Sequence, residues 1–189
     1  MAPKKADLST TRRLGLLLGA AALLGGCDGV EPLPKPVPPT TTATATCPAS
    51  GVTVTAGEVD GAGGLRALGI QLTNCGGATY RVQGFPSVRV LDADRKPLPV
   101  TVGNGSSPVS APDGWDTPPV PLTLAAGESA RARVLWRNTV TDSTAPAAEG
   151  SYLEVTPAAG EPAQLVAVRG GIDLGNTGRL AVNAWSLRS

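Results

Sequence analysis

Short segments of alternating apolar and polar residues run through the chain from Cys47 onward, and they constrain its fold more than any other feature. The alternating apolar positions are Leu68, Ile70 and Leu72; Val88 and Val90; Ala130, Ala132, Val134 and Trp136; Leu153 and Val155; Val166 and Val168; and Leu180, Val182 and Ala184. A period of two residues is typical of strands with one buried face. Clusters of Gly, Pro, Asn and Asp separate the segments, as turns do. Seven or eight such strands predict an all-β fold, an antiparallel β-sandwich.

The N-terminus has the order of a secretory signal. Basic residues at positions 4, 5, 12 and 13 precede an apolar run over residues 14–24, and two glycines and Cys27 follow. This order is typical of a signal peptide, and the run is shorter than the about 20 residues that a membrane-spanning helix needs. The small-small-Cys ending resembles the bacterial lipoprotein signal, which implies removal of residues 1–26 and acylation of Cys27. The alternative is an ordinary signal peptide with a chance cysteine.

The segment after Cys27 is predicted to be a tether. Residues 27–46 comprise this cysteine and a Pro/Thr-rich linker, and residues 47–189 remain for the sandwich domain. A Pro-rich linker is extended and semi-rigid, at about 3.1 Å per residue, so the tether reaches up to roughly 60 Å from the membrane. Its threonines are interpreted as solvated linker, with O-glycosylation as the alternative.

Two of the three cysteines are predicted to pair across the open end of a hairpin. Segments 52–59 and 65–73 form this hairpin, with its turn at residues 60–64 and its midpoint near residue 62. Cys47 and Cys75 are centred on residue 61, which brings their Cα atoms within the about 7 Å that a disulfide requires. An even pair of cysteines in an exported domain is typical of a disulfide.

Composition and charge exclude several function classes. The chain has no histidine, which excludes Ser-His-Asp and Cys-His nucleophile systems and His-based zinc sites. Without residues 1–26 the formal net charge falls from +1 to about −2, which gives no reason to expect a nucleic-acid partner. Asp92 and Asp94 are candidates for paired carboxylates or calcium ligands, but aspartates are also favoured at hairpin tips, the interpretation adopted here. We therefore expect no enzyme activity, no cofactor and no metal.

Three tryptophans and a row of arginines are the remaining candidates for a site. Trp136 is expected in the core. The pattern around Trp185 does not decide whether its side chain is buried or exposed. Trp115 lies in a long irregular loop, residues 103–119, where it either contacts a ligand or partner or folds back over one end of the sandwich. Arg131, Arg133 and Arg137 share one strand face. They either join arginines of other strands in a basic patch or form a solvated face with carboxylate neighbours.

Several motifs together resemble a family of domains of unknown function, number 4232, from secreted actinobacterial proteins. The motifs are Cys47, Leu72-Thr73-Asn74, Gly84-Phe85-Pro86-Ser87-Val88, and Leu122-x-Leu124-Ala125-Ala126-Gly127-Glu128 before the strand ending in Trp136. Phe85 and Ala126 stand where the family pattern has Tyr and Pro. The resemblance implies an immunoglobulin-like sandwich in a lipid-anchored envelope protein. Gly150-Ser151-Tyr152 is also similar to the tyrosine corner of such sandwiches, or else Tyr152 is a buried edge residue.

These observations predict a lipid-anchored module on the extracytoplasmic face of the cell membrane. Its partners are membrane lipid, through acylated Cys27, and an envelope protein or glycan, contacted through Trp115. The alternatives are an enzyme that acts on cell-wall glycan through carboxylates and an accessory subunit of an envelope transporter or sensor. An enzyme of that kind needs two carboxyl groups roughly 5 to 9.5 Å apart in a cleft.

Overall fold

Ten β-strands form in the part of the chain that the structure, a computed structural model, describes: residues 46–187. The strands are β1 Val52–Ala62, β2 Leu65–Asn74, β3 Tyr80–Val82, β4 Ser87–Leu91, β5 Thr101–Asn104, β6 Leu122–Leu124, β7 Ser129–Arg137, β8 Ala148–Thr156, β9 Gln164–Gly175 and β10 Arg179–Val182. The described residues contain no helix, and so none long and apolar enough to cross a membrane. The predicted signal peptide and linker, including Cys27, lie outside them, except for residue 46.

The strands form two main sheets and one short ribbon. The first sheet has the order β1-β2-β7-β10-β5, the second has the order β4-β8-β9, and β3 pairs with β6. All of these pairs are antiparallel except β10 with β5, which is parallel. The predicted fold class, an all-β sandwich of mainly antiparallel strands, is confirmed, with this parallel edge strand as an addition that alternation could not reveal.

The core lies between the inner faces of the two sheets. The alternating positions predicted from the sequence face inward; Leu68, Val134 and Leu153, for example, are fully buried. Trp136 is fully buried as predicted, and its Nε1 donates to Oδ1 of Asp173 at 3.0 Å. Trp185 also belongs to the core, where its Nε1 donates to the carbonyl oxygen of Pro157 at 2.8 Å. Both indole N–H groups therefore have partners, as buried tryptophans require.

The first hairpin differs from its predicted register. The strands turn at residues 63 and 64, and a bulge between Ala56 and Val59 shifts the pairing by one residue, so Val52 pairs with Asn74. Cys47 still reaches Cys75, with 5.6 Å between their Cα atoms, and the two form a disulfide. A turn over residues 48–51, closed by the backbone N–H of Gly51 donating to the carbonyl of Pro48, folds the chain back, and the backbone N–H of Cys75 donates to the carbonyl of Gly51. The predicted pairing is present, but this turn produces it rather than a symmetric hairpin.

An amide side chain links the two sheets along one side of the sandwich. The backbone N–H of Val54 donates to Oε1 of Gln164 at 2.9 Å, and Nε2 of Gln164 donates to the carbonyl of Val52 at 3.1 Å. The amide thus occupies the place of a neighbouring strand on the open edge of β1. Such cover protects an edge from pairing with another chain.

Tyr152 is neither a tyrosine corner nor an edge residue. It lies in β8, the central strand of its sheet, where it is half-buried on the outer face. The guanidinium carbon of Arg95 lies 5.7 Å from its ring centroid, a cation–π distance. The glycine of the short motif, Gly150, instead serves packing between strands, since a Cβ there would collide with Val90 of β4.

Candidate functional site

A long loop, residues 105–121, lies over the outer face of the first sheet and makes a third layer there. It accounts for outer-face residues that are buried although they break the alternation, namely Leu135 and Ala181. The loop itself contributes Ser106, which is fully buried, and Pro108, against which a Cβ on Gly103 would collide. The predicted irregular loop is therefore an ordered cover on the sheet, not a cap over one end of the sandwich.

The carboxylate of Asp116 holds this loop in place. Its Oδ1 accepts from the backbone N–H of Ser106 at 2.6 Å and from Nδ2 of Asn183 at 3.0 Å, and its Oδ2 accepts from the backbone N–H of Asp113 at 2.8 Å. Burial raises the pKa of Asp116, but these hydrogen bonds and the nearby charge of Arg133 outweigh it, so the pKa lies below its ordinary value. The side chain is thus held as an anion that joins loop and sheet.

Trp115 packs on the sheet through an arginine of the predicted row. The guanidinium carbon of Arg133 lies 5.2 Å from the indole centroid, and the same guanidinium forms an ion pair with Asp113. The backbone N–H of Trp115 donates to Oδ1 of Asp113 at 2.8 Å. The indole is half-buried as a result. Trp115 is therefore fixed in orientation while one part of it remains accessible.

A groove of about 240 Å³ runs beside Trp115. One wall carries Trp115 and the loop prolines, the other carries Phe85, and Asn104 and Asn183 lie between them. A second depression, of about 400 Å³, shares Phe85 and Asn104 with it and extends along residues 86–88. We call the two together the Trp115–Phe85 groove. The family motif over residues 84–88 and the loop of Trp115 thus border one surface, a connection that their separation in sequence concealed.

Asn183, one of the residues that line the Trp115–Phe85 groove, has a buried acceptor without a partner within residues 46–187. Asn183 is 1% exposed, and its Nδ2 donates to Asp116. Its Oδ1 has no hydrogen-bond partner among the described residues. A buried polar atom without a partner costs about 1 to 3 kcal/mol, so a donor brought by a ligand gains free energy at this point. The groove therefore offers apolar rings for contact and one acceptor for orientation.

The predicted arginine patch does not form. Arg133 is paired with Asp113, Nε of Arg137 donates to the carbonyl of Val109 at 3.0 Å, and Arg66 pairs with Asp173. Arg89 lies in the second sheet and pairs with Glu154. Arg66, Arg89 and Arg133 thus have carboxylate partners, as the alternative expected, whereas Arg137 is held by a backbone carbonyl.

The two aspartates of the hairpin tip serve the turn. Oδ1 of Asp92 accepts from the backbone N–H of Lys96 at 2.8 Å, and Asp94 lies 3.4 Å from the Lys96 ammonium. Within residues 46–187, no group of three or more His, Cys, Asp or Glu side chains is placed to hold a metal ion. Asp173 was not singled out from the sequence. Burial raises the pKa of Asp173, but hydrogen bonds from Trp136, Arg66 and Asn138 outweigh this effect. The pKa therefore lies below its ordinary value, and Asp173 is a structural anion.

A family model described as a domain of unknown function (DUF4232) matches residues 47–186. The match includes all ten strands and both walls of the Trp115–Phe85 groove, and it confirms the resemblance drawn from the sequence motifs. No curated protein and no solved structure matches the chain. Since the family description assigns no activity, the function has to be argued from the groove.

Proposed function

The chain belongs to the DUF4232 family of domains of unknown function, and on this premise we propose that it is a lipid-anchored, non-catalytic binding module of the cell envelope. In this proposal Cys27 carries the lipid, the Pro/Thr-rich linker spaces the domain from the membrane, and the Trp115–Phe85 groove takes an extended segment of another envelope protein. The observation that carries the binding role is the groove lined by aromatic and proline rings, with Asn183, whose buried Oδ1 has no partner in the described part of the chain, among its lining residues.

The chemistry of the groove favours a polypeptide over a glycan. A sugar presents many hydroxyl groups, and each one buried in a groove needs a hydrogen-bond partner. Here the carboxylate of Asp116 is already engaged by three donors, which leaves the side chains of Asn104, Thr117 and Asn183 as the remaining polar groups beside Trp115. Extended and Pro-rich peptides dock against aromatic walls and need few hydrogen bonds. One backbone N–H of such a peptide satisfies Asn183.

A non-catalytic role agrees with the side chains present. The chain has no histidine. The two carboxylates nearest Trp115 are occupied, since Asp113 pairs with Arg133 and Asp116 holds the loop. Asp116 is not placed as a proton donor, because its pKa is lowered rather than raised.

Site-specific photocrosslinking in intact cells tests this proposal. A photoreactive amino acid at Thr117, which lines the groove, should give an adduct with an envelope protein. A second chain with the probe at Ala167, an exposed residue of β9 in the other sheet, serves as the matched control. We expect the adduct from Thr117 only, and we expect Trp115→Ala to abolish it.

The outcomes separate the parts of the proposal. A glycan hydrolase that removes the mass added by the crosslinked partner would identify the partner as a glycan. That result would overturn the choice of a polypeptide. Equal adducts from Thr117 and Ala167, or none from either, would remove the groove as the binding surface.

A further inference from the structure

We propose that a separate cavity, bordered by Pro108 and Val109 of the loop over residues 105–121, binds a phosphate group through Arg137 and Arg179. This cavity has a volume of about 360 Å³ and is lined by Pro108, Val109, Arg137, Thr141, Asn176, Thr177 and Arg179. It shares no lining residue with the Trp115–Phe85 groove, so the inference does not depend on the function proposed above.

The register of the first sheet places the two arginines side by side. Leu180 of β10 pairs with Trp136 of β7 in antiparallel orientation, and Arg179 and Arg137 each lie one residue beyond that pair. Trp136 and Leu180 face the core, so their neighbours face the outer layer. Like charges directly opposite each other on neighbouring strands destabilise a sheet. An anion bound between them removes that repulsion.

The protein itself supplies no such anion within residues 46–187. None of the five ion pairs in this part of the chain includes Arg137 or Arg179. Asp142 is next to Thr141 in the chain, but its carboxylate accepts from the backbone N–H and the hydroxyl of Thr144 at 2.8 and 2.6 Å. The two positive charges therefore face the cavity without a carboxylate partner.

The cavity is held in a fixed shape before any ligand arrives. Nε of Arg137 donates to the carbonyl of Val109 at 3.0 Å, which orients the guanidinium of this cavity-lining residue. Oδ1 of Asn176 accepts from the backbone N–H and the hydroxyl of Thr141 at 2.8 and 3.1 Å. The turn that carries Asn176 begins at Gly175, with φ of 55°, where a Cβ would collide with the backbone of Thr139. Such preorganisation reduces the entropy lost on binding.

Charge and shape together select the ligand class. Two guanidinium groups offer paired N–H donors that match a tetrahedral oxyanion, and a phosphate monoester carries close to two negative charges near neutral pH. One such group neutralises the pair. The remaining volume, with Pro108 and Val109 on one wall, accommodates an organic substituent on the phosphate. The source is therefore either free phosphate or a substituted phosphate.

Titration calorimetry on the full chain in nonionic detergent tests this site with two probes, inorganic phosphate and glycerol 3-phosphate, at about pH 8. We expect a Kd of about 1 mM or tighter for at least one probe. Arg137→Gln and Arg179→Gln should each weaken binding by about tenfold or more. Arg81→Gln, which removes an exposed arginine of β3, is the control with equal charge change and should stay within about twofold.

The pattern of the results identifies the source or overturns the proposal. Equal affinities support a free phosphate, and a clear preference for glycerol 3-phosphate supports a substituted one. As a second readout, phosphate should raise the melting temperature of the wild type but not that of Arg179→Gln. No binding at about 20 mM of either probe, or equal weakening by Arg81→Gln, would overturn the site.

Discussion

Replacing Asp116 with alanine should detach the loop that builds the Trp115–Phe85 groove while leaving the sandwich intact. Three donors lose their acceptor in this variant: the backbone N–H groups of Ser106 and Asp113 and the amide of Asn183. Ser106 and Asn183 are buried, so water does not replace the lost contacts unless the loop opens. The lost stability is therefore expected in the loop and in the sheet face beneath it.

The size of the loss follows from these contacts. A hydrogen bond to a charged acceptor contributes about 1.5 to 3 kcal/mol. Asp116 is half-buried, so we take the lower value for each of the two donors that belong to buried residues, Ser106 and Asn183. The free energy of unfolding should then fall by about 3 kcal/mol, and fall less if the loop opens on its own while the core stays folded.

Urea unfolding combined with acrylamide quenching distinguishes a loss of global stability from local opening of the loop. Trp136 and Trp185 are buried, so a rise in quenching before global unfolding reports on Trp115. Asp94→Ala removes an exposed carboxylate and is the control, with an expected change within about 0.5 kcal/mol. A loss below about 1 kcal/mol in Asp116→Ala, with quenching unchanged, would refute the role assigned to this carboxylate.

The same carboxylate gives the protein a defined acid sensitivity. The pKa of Asp116 is lowered in the folded state, with hydrogen bonds and Arg133 outweighing burial. Its stabilisation is therefore complete above the unfolded value of about 3.9 and is lost as the pH falls through the folded value. The difference in stability between the wild type and Asp116→Asn should narrow below about pH 4. A difference that stays constant from pH 7 to pH 2 would contradict this assignment.

Three further changes have definite expected outcomes. Replacing Cys47 and Cys75 with serine should lower the free energy of unfolding by about 3 to 4 kcal/mol for a separation of 28 residues, and non-reducing mass spectrometry of the exported wild type should find the two joined. Trp115→Ala should weaken partner binding by about 2 kcal/mol and stability by about 1 kcal/mol, because the ring also packs on the sheet; unchanged binding would place the site elsewhere. Gly150→Ala should cost about 1 to 3 kcal/mol in thermal unfolding, since its Cβ collides with Val90; no loss would contradict the packing described.

The sandwich could be predicted because alternation records which face of a strand is buried. Alternation worked for β2, β7 and β8, whose predicted inner positions are all apolar and buried; Asn74, at the end of β2, is a buried polar exception. It could not predict β3 and β6, since three residues are too few to show a period. It also misassigned Leu135 and Ala181, because the layer that buries them is a loop whose position no local pattern encodes.

The site could be predicted only in part, for a related reason. Trp115 was singled out as a tryptophan in a long loop, and it does border a groove. Its opposite wall, Phe85, lies thirty positions earlier and was known only as a motif residue. The carboxylate that fixes the loop, Asp116, takes one donor from Ser106 and another from Asn183, far apart in the chain. Hydrogen bonds of this range leave no signal in one sequence.

The mass of the N-terminal peptide from protein purified out of the membrane fraction tests the central claim most directly. A lipid-anchored module predicts a chain that begins at Cys27 and carries diacylglyceryl and N-acyl groups, whose many buried CH₂ groups contribute about 0.8 kcal/mol each to membrane binding. The Cys27→Ser chain should then leave the membrane fraction or remain as an uncleaved precursor. An unmodified Cys27, or a Cys27→Ser chain that keeps its mass and its place in the membrane, would contradict the account.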